Sequence, residues 1–234
     1  MLYYIIIGFL GWNFFYFFLT STWFGIKEVN IDGNNYLSDE TVISQVGIKF
    51  HTNLFRFNAE NAGISLLSNP WIADASIKKI LPDKLNIELV ERQPSILLYY
   101  DNRYYLISEE GIILSLSEQF DNHFDLYIIT GVDVSTKKPG EVIGNQEYQN
   151  IKRIIYALEN IFPDQFYKIQ VISLEEYLLF HKMNEIKVRI ENGDQLINEW
   201  YLLERALNKV ISEEIPLQEI NMKYKERLSI ILKE

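Results

Sequence analysis

The residues that most often carry chemistry are few and scattered in this sequence. The three histidines stand at positions 51, 123 and 181, a spacing that does not suit a shared metal ion, and there is no cysteine. Motifs of nucleotide-binding loops, serine hydrolases and zinc proteases do not occur. Neighbouring acids could act as an acid and a base, but such pairs are typical of solvated surface. They are Glu109-Glu110, Glu175-Glu176 and Glu213-Glu214. The sequence therefore predicts no catalytic site, no metal and no cofactor.

The charge balance points away from nucleic acid. The chain of 234 residues has a formal net charge of -10, whereas binding to phosphates requires a basic surface. One small basic cluster, Lys78-Lys79 with Lys84, lies in a predicted hairpin. With neither a catalytic motif nor a small-molecule site in view, protein recognition is the expected activity.

The first 24 residues contain no charged side chain. As a helix they would be roughly 36 Å long, enough to cross a hydrocarbon core of about 30 Å. Aromatic residues stand at both ends as interfacial anchors would: Tyr3, Tyr4, Trp23 and Phe24. A cleaved signal peptide would show a basic start and a small-residue cleavage site, and neither is visible. We expect a transmembrane helix over residues 1–24, and not a buried core helix.

The orientation of this span does not follow from the flanking charges. The first basic residue, Lys27, comes after the span, and long domains cross membranes largely regardless of charge. A chain without cysteine suits either side of the membrane. The remaining residues have the composition of ordinary globular domains.

Residues 26–92 predict the order strand, helix, helix, strand, strand. IKEVNI (26–31) alternates at period two and ends at a dense turn signal. Ser38 and Asn58 are candidate helix N-caps, with Gly47 and Asn69-Pro70 as the respective stops. ADASIKKIL and KLNIELVER flank the turn Pro82-Asp83 and predict a hairpin.

The chain from residue 94 onward predicts a β-rich region with two packed helices. Short strands, which we expect to be antiparallel, surround the loop 101–103 and the turn Glu110-Gly111. Helical spacing covers residues 144–162, and a second helix opens at Asn192-Gly193-Asp194. The predicted buried face of that second helix comprises Leu196, Trp200, Leu203, Leu207 and Ile211. Strands then follow near 168–173, 177–181 and 186–190 around these helices, and IPLQEINM, the turn Tyr224-Lys225-Glu226 and RLSIIL come last.

The segment RLSIIL (227–232) is apolar on both faces. Leu228, Ile230 and Leu232 share one face, and Ser229 and Ile231 share the other. As an edge strand it would expose unpaired backbone groups, which a partner strand could satisfy. Alternatively, the strand is internal and Ile231 packs under a helix. The residues alone leave both readings open.

The region 26–93 resembles the polypeptide-transport-associated (POTRA) module, in the version found in the bacterial cell-division protein family FtsQ/DivIB. The residues that carry this resemblance lie in IKEVNIDGNNYLSDETVISQVGI and LSNPWIADASIKKILPDKLNIELVERQPSILL. The matching motif positions are Gly33, Pro70, Trp71, Ala75, Pro82, Glu91, Arg92 and Pro94. The resemblance implies a β-α-α-β-β module directly after a membrane span.

Residues 94–234 resemble the β-domain of the same family. A helix opened by Gly193 and Asp194 precedes two final strands with Lys223 and Tyr224 between them, as in that family. In the family, the last strands bind the small division proteins FtsB (DivIC) and FtsL by strand addition. The resemblance therefore implies partner binding at Lys223, Tyr224, Arg227, Leu228, Ser229, Ile230 and Ile231. The basic tail that usually precedes the family's span is not seen here.

Taken together, the sequence predicts an α+β protein with a transmembrane helix, a POTRA module and a β-rich domain. The resemblance implies a non-enzymatic divisome scaffold in the inner membrane at the septum, with its bulk in the periplasm. It would bind FtsB-like and FtsL-like partners and other divisome membrane proteins, and so regulate septal peptidoglycan synthesis. One alternative is a POTRA-containing component of outer-membrane protein assembly or secretion, although neither POTRA repeats nor barrel patterning is seen. Another is a membrane-anchored wall hydrolase, which would need a convergent acid pair.

Overall fold

The computed structural model describes residues 2–121, 123–182, 186–213, 215–224 and 227–232. The chain divides into two compact units, Met1–Arg92 and Gln93–Glu234. Each unit combines helices with its own β-sheet, three-stranded in the first and nine-stranded in the second. The predicted α+β class is confirmed.

The first element is the apolar helix α1, Leu2–Thr20. Within the described residues it is the one helix long and apolar enough to cross a membrane, and no residue of its window Tyr3–Thr20 is buried. The predicted span of residues 1–24 is too long at its end. The Ser21 hydroxyl accepts a hydrogen bond from the Trp23 backbone N–H, and the residues Thr22–Phe24 form a short 3-10 turn instead.

The rest of the first unit has the predicted order of elements. Its bounds are β1 Glu28–Asp32, α2 Asp39–Val46, α3 Ala59–Leu67, β2 Ile72–Ile80 and β3 Lys84–Glu91. β3 lies at the centre of the sheet, parallel to β1 and antiparallel to β2. The predicted caps are confirmed, because Ser38 and Asn58 each accept a backbone N–H of the helix they precede, and Gly47 ends α2.

The helices α2 and α3 cover one face of this small sheet. Their buried residues pack against alternate residues of β2 and β3, which is why both helices carry apolar residues on one side only. The fully or nearly buried members of this core are Val42, Val46, Ala62, Leu66, Ile72, Ile87 and Leu89.

The second unit is built on a nine-stranded sheet with two helices. Its strands are β4 Pro94–Tyr100, β5 Arg103–Ser108, β6 Ile113–Ser117, β7 Ile128–Thr130, β8 Phe166–Ser173, β9 Glu176–His181, β10 Lys187–Ile190, β11 Leu217–Tyr224 and β12 Arg227–Leu232. Its helices are α4 Asn145–Ile161 and α5 Gly193–Ser212. Across the sheet the order is β12-β11-β10-β9-β8-β7-β4-β5-β6. The large core lies between this sheet and the two helices.

The antiparallel strands predicted around the loop 101–103 and the turn Glu110-Gly111 are confirmed, because β5 is antiparallel to both β4 and β6. Three other pairs of the sheet are parallel. β7 is parallel to both β4 and β8, and β10 is parallel to β11. For the pairs β7–β8 and β10–β11, the parallel direction follows from the position of the helices in the chain. α4 connects β7 to β8 and α5 connects β10 to β11, and a helix between neighbouring strands returns the chain to the starting end of the sheet, so that the two strands run parallel.

The predicted buried face of α5 is partly wrong. Trp200 and Ile211 are about two-fifths exposed, at 40% and 39%. The residues of α5 that are buried are Gly193, Leu196, Leu203, Leu207 and Val210. The buried residues Leu196, Leu203, Leu207 and Val210 keep regular helical spacing, and Trp200 and Ile211 lie at the border of this face.

Candidate partner-binding edge

Strand β12 occupies one edge of the nine-stranded sheet. It pairs with β11 in antiparallel fashion, with Ser229 opposite Asn221, Ile230 opposite Ile220, and Ile231 opposite Glu219. Among the described residues its other side has no strand partner. An edge of this kind presents backbone N–H and C=O groups in a row.

The side chains of β12 are mostly exposed. Ile230 and Ile231 are 49% and 47% exposed, and Leu228 is the residue of the strand that packs partly against the core. The alternative of an internal strand with Ile231 under a helix is therefore wrong. Apolar side chains left in water on an edge strand are unusual, because natural edges are commonly protected by charge or by short length.

A chain of ion pairs lies next to this edge, on the sheet face opposite the helices. Val188 and Ile190 are buried in the core, so Arg189 between them projects from the other face. Its guanidinium contacts Glu219 on β11, at 2.6 Å and 3.1 Å, and also Glu176 on β9.

Lys223 extends this chain of ion pairs. Its Nζ atom is 2.9 Å from the Glu176 carboxylate. The Lys223 ammonium, with further help from Arg189, holds the pKa of Glu176 below its usual range against the opposing effect of burial. The hydrogen bonds that Arg189 donates to the Glu219 carboxylate raise the pKa of Arg189 further. We expected Lys223 to face a partner, but in the structure it forms an ion pair with a carboxylate of its own chain.

Sequence reasoning missed Arg189 and Glu219, and it interpreted Glu176 as solvated surface, whereas its side chain is only 22% exposed and pairs with Arg189 and Lys223. These residues come from three different strands, and their proximity depends on the register of β9, β10 and β11. The only local signal is that Arg189 stands between two apolar residues, Val188 and Ile190.

The turn between β11 and β12 is only partly described. Tyr224 is the last residue of β11 and its backbone is opposite Arg227, whose side chain is exposed. The remainder of the predicted turn, Lys225 and Glu226, lies outside the described residues.

Most of the motif residues of the first unit meet at one end of its sheet. The Glu91 carboxylate, only 6% exposed, accepts the backbone N–H groups of Asn35, Tyr36 and Leu37 at 2.6, 2.8 and 2.9 Å. Gly33 begins this turn with φ of +91°, and a Cβ atom there would stand 2.0 Å from the Leu89 carbonyl oxygen.

Arg92 and Trp71 complete the same cluster. The Arg92 guanidinium donates to the carbonyl oxygens of Pro70, at 2.8 Å, and Ile72, and the Arg92 backbone N–H donates to Trp71. The Trp71 ring lies 5.3 Å from the ring of Tyr36. These contacts connect the end of the sheet to the turn that follows β1.

The other motif residues lie elsewhere. Ala75 is opposite Leu89 and packs on the core of the first unit. Pro82 follows a cis peptide bond between β2 and β3. Pro94 starts β4 in the second unit.

Comparisons with known proteins match both units. Residues 24–92 match the family model described as POTRA domain, FtsQ-type. The chain is 29% identical over 203 residues to the cell division protein DivIB of Clostridium tetani, a match that covers 84% of this chain and 72% of that protein. It is 30% identical over 177 residues to the cell division protein FtsQ of Syntrophotalea carbinolica, covering 74% and 62% respectively. A third relative, DivIB of Clostridium acetobutylicum, is 24% identical over 194 residues, covering 82% and 76%.

Proposed function

Because the chain carries an FtsQ-type POTRA domain and has homologues named cell division protein DivIB or FtsQ over most of its length, we propose that it is a scaffold of the divisome. In this proposal it catalyses no reaction. It holds other membrane proteins of the divisome together at the septum, and through them it regulates septal peptidoglycan synthesis.

The proposed arrangement places α1 in the cytoplasmic membrane as a single span and the rest of the chain on the outer side. Support for the span comes from the length of α1 and from its uncharged, mostly apolar and unburied surface. Residues 26–93 act as the POTRA module and residues 94–234 as the FtsQ-type β-domain.

The partners that we propose for the β-domain are FtsB/DivIC-like and FtsL-like proteins, bound by strand addition to β12. The observation that carries this proposal is the exposed edge of β12, where Ile230 and Ile231 remain about half exposed. A partner strand would hydrogen-bond the free edge, and its apolar residues would cover those of β12.

Charge would contribute to the orientation of the partner. Arg227 is exposed at the start of β12 and can meet a carboxylate directly. Lys223 already forms an ion pair with Glu176, so an acidic partner residue would have to join or replace that pair. We therefore assign Arg227 the larger role in attracting an acidic partner.

The test is co-purification of FtsB-type and FtsL-type proteins with the full chain and with proline variants at both edges of the sheet. Successive residues of a strand direct their N–H groups to opposite sides. Of Ser229→Pro and Ile230→Pro, one therefore removes a donor from the outer edge and the other removes a donor that faces β11. Leu116→Pro, on the opposite edge strand β6, is the matched control.

We expect Leu116→Pro to retain both partners and the outer-edge proline variant to lose them while its circular dichroism and thermal midpoint stay near those of the wild type. Equal recovery with all three variants would show that β12 is not the binding edge. If the wild type itself recovers neither partner, the assignment of these partners is wrong. Recovery of unfolded outer-membrane polypeptides instead would favour the assembly or secretion alternative.

A further inference from the structure

The loop that follows α2 holds the end of the membrane helix. This segment, residues 49–57, is named the basal loop here. The Asn53 side-chain amide donates to the carbonyl oxygens of Phe18, at 2.8 Å, and Ser21, at 3.2 Å. Carbonyl groups at the end of a helix have no partners within the helix. The basal loop therefore caps α1 and fixes its end to the POTRA domain.

Backbone hydrogen bonds strengthen this attachment. The Leu54 N–H donates to the Phe24 carbonyl oxygen at 2.7 Å, and the Ile26 N–H donates to that of Thr52 at 3.0 Å. The His51 N–H in turn donates to the Ile26 carbonyl oxygen at 2.8 Å. The chain that leaves α1 is thus paired with the basal loop at Phe24 and Ile26.

The length of α1 places the contact between α1 and the basal loop, called the junction below, at the membrane surface. Its 19 residues give a helix about 28 Å long, close to the thickness of about 30 Å of a hydrocarbon core. When α1 spans the bilayer, its end at Thr20 lies at the boundary of the core. The basal loop contacts residues on both sides of Thr20, so it lies at the same depth.

The side chains around the junction are suited to that depth. The Phe55 ring lies 5.7 Å from the ring of Phe18 and 5.1 Å from that of Phe24, yet it remains 40% exposed. Phe50 and Trp23 are 51% and 64% exposed. Trp is enriched at membrane interfaces, Phe residues of interfacial segments insert at the boundary between headgroups and acyl chains, and an exposed patch of such rings in water is unfavourable.

The charges of the basal loop fit anionic lipid. Lys49 and Arg56 are exposed, and residues 41–59 contain no carboxylate, although the chain as a whole has a net charge of -10. Basic residues beside interfacial aromatics are attracted to anionic headgroups. The surface is therefore complementary to a lipid surface that continues directly from the span.

We propose that the basal loop lies in the interfacial region of the bilayer, with Phe50 and Phe55 among the headgroups and Lys49 and Arg56 bound to anionic phospholipid. The POTRA domain then rests on the membrane at a second point beside α1. This inference depends on the proposed membrane anchor and is independent of any partner at β12.

The absence of cysteine from the chain allows a depth measurement with single fluorescent labels. Phe50→Cys, Ile64→Cys and Phe9→Cys each provide one exposed site, in the basal loop, in α3 and in α1 respectively. The labelled full chains are reconstituted in vesicles of equal parts phosphatidylcholine and phosphatidylglycerol. Quenching is then measured with spin labels at the lipid headgroup and at mid-chain.

We expect the headgroup quencher to reduce the fluorescence at position 50 several-fold more than at position 64, and the mid-chain quencher to act at position 9. If the label at position 50 is quenched no more than that at position 64, the proposal is wrong although the span is inserted. If the label at position 9 is not quenched, both the anchor and this proposal fail.

A second comparison tests the charge contribution. In vesicles of phosphatidylcholine alone, the label at position 50 should be quenched less than in the mixed vesicles. The double variant Lys49→Gln/Arg56→Gln should lose this dependence on phosphatidylglycerol. The matched double variant Lys78→Gln/Lys84→Gln should keep it. Equal dependence in both double variants would exclude a specific role for the basal-loop cations.

Discussion

Replacing Glu91 should loosen the turn that follows β1. Its buried carboxylate accepts three consecutive backbone N–H groups, those of Asn35, Tyr36 and Leu37. Oε2 accepts the first two and Oε1 accepts the third. Glu91→Ala removes all three acceptors, whereas Glu91→Gln keeps one oxygen and presents an NH₂ group to the remaining donors.

The loss of stability caused by the Glu91 variants follows from the number and the exposure of these hydrogen bonds. A hydrogen bond to a charged group contributes about 1.5–3 kcal/mol, and three independent bonds would give more than twice that. Asn35 and Tyr36 are exposed, however, so that water replaces part of what is lost. We expect Glu91→Ala to cost about 3 kcal/mol and Glu91→Gln to cost about half as much.

Amide hydrogen exchange of the full chain in detergent micelles measures this cost locally. A loss of about 3 kcal/mol corresponds to exchange about two orders of magnitude faster for the peptide that contains residues 35–37. Glu88→Gln is the matched control on the same strand, because Glu88 is exposed and pairs with Lys78 at 2.8 Å. That exposed pair should contribute less than about 1 kcal/mol.

The expected order of protection at residues 35–37 is wild type, Glu91→Gln, then Glu91→Ala, with Glu88→Gln near the wild type. Exchange in Glu91→Ala that matches the control would refute the reasoning, because it would mean that the three bonds contribute no net stability. Equal effects of the two Glu91 variants would show that the negative charge, which both variants remove, is what matters, and not the number of acceptor oxygens.

Three further predictions concern an ion pair of the second unit and glycines in two helices. Because the folded-state pKa of Glu176 is lowered, its contribution to stability is full above the ordinary glutamate pKa of about 4.3 and is lost as the pH falls through the folded value. Urea midpoints of the wild type and Glu176→Gln should therefore differ at neutral pH and converge on acidification, and a constant difference would contradict this. Gly193→Ala should destabilise the protein by about 2 kcal/mol, because the new Cβ would lie 2.7 Å from the backbone of Arg153. Gly63→Ala, which meets no atom within 4 Å, should instead stabilise α3 by about 0.5–1 kcal/mol, as thermal midpoints would show.

Features with a local cause could be predicted from the sequence. Ser38, Gly47 and Asn58 mark helix ends because their own side chains or backbone conformations satisfy the adjacent helix. The apolar strand at residues 227–232 could be identified with equal ease. Whether it lies at an edge could not, since that depends on the position of every other strand.

Features that depend on topology could not be predicted. β7 has only three residues, too few to show a period, and its parallel pairing follows from the crossover through α4. The ion pairs of Arg189 need the register of three strands. The burial of α5 was misjudged at Trp200 and Ile211, because the width of the helix face that the sheet covers depends on tertiary packing and not on helical spacing.

The order in which β12 joins its sheet has a consequence for assembly. β12 follows all other strands of the sheet along the chain, and its only described neighbour, β11, reaches its place through the crossover helix α5. A docking edge at β12 can therefore exist only after α5 has packed and β10 and β11 have paired. Incompletely folded chains would lack the edge, so that the partners proposed to bind at β12 would bind only fully folded chains.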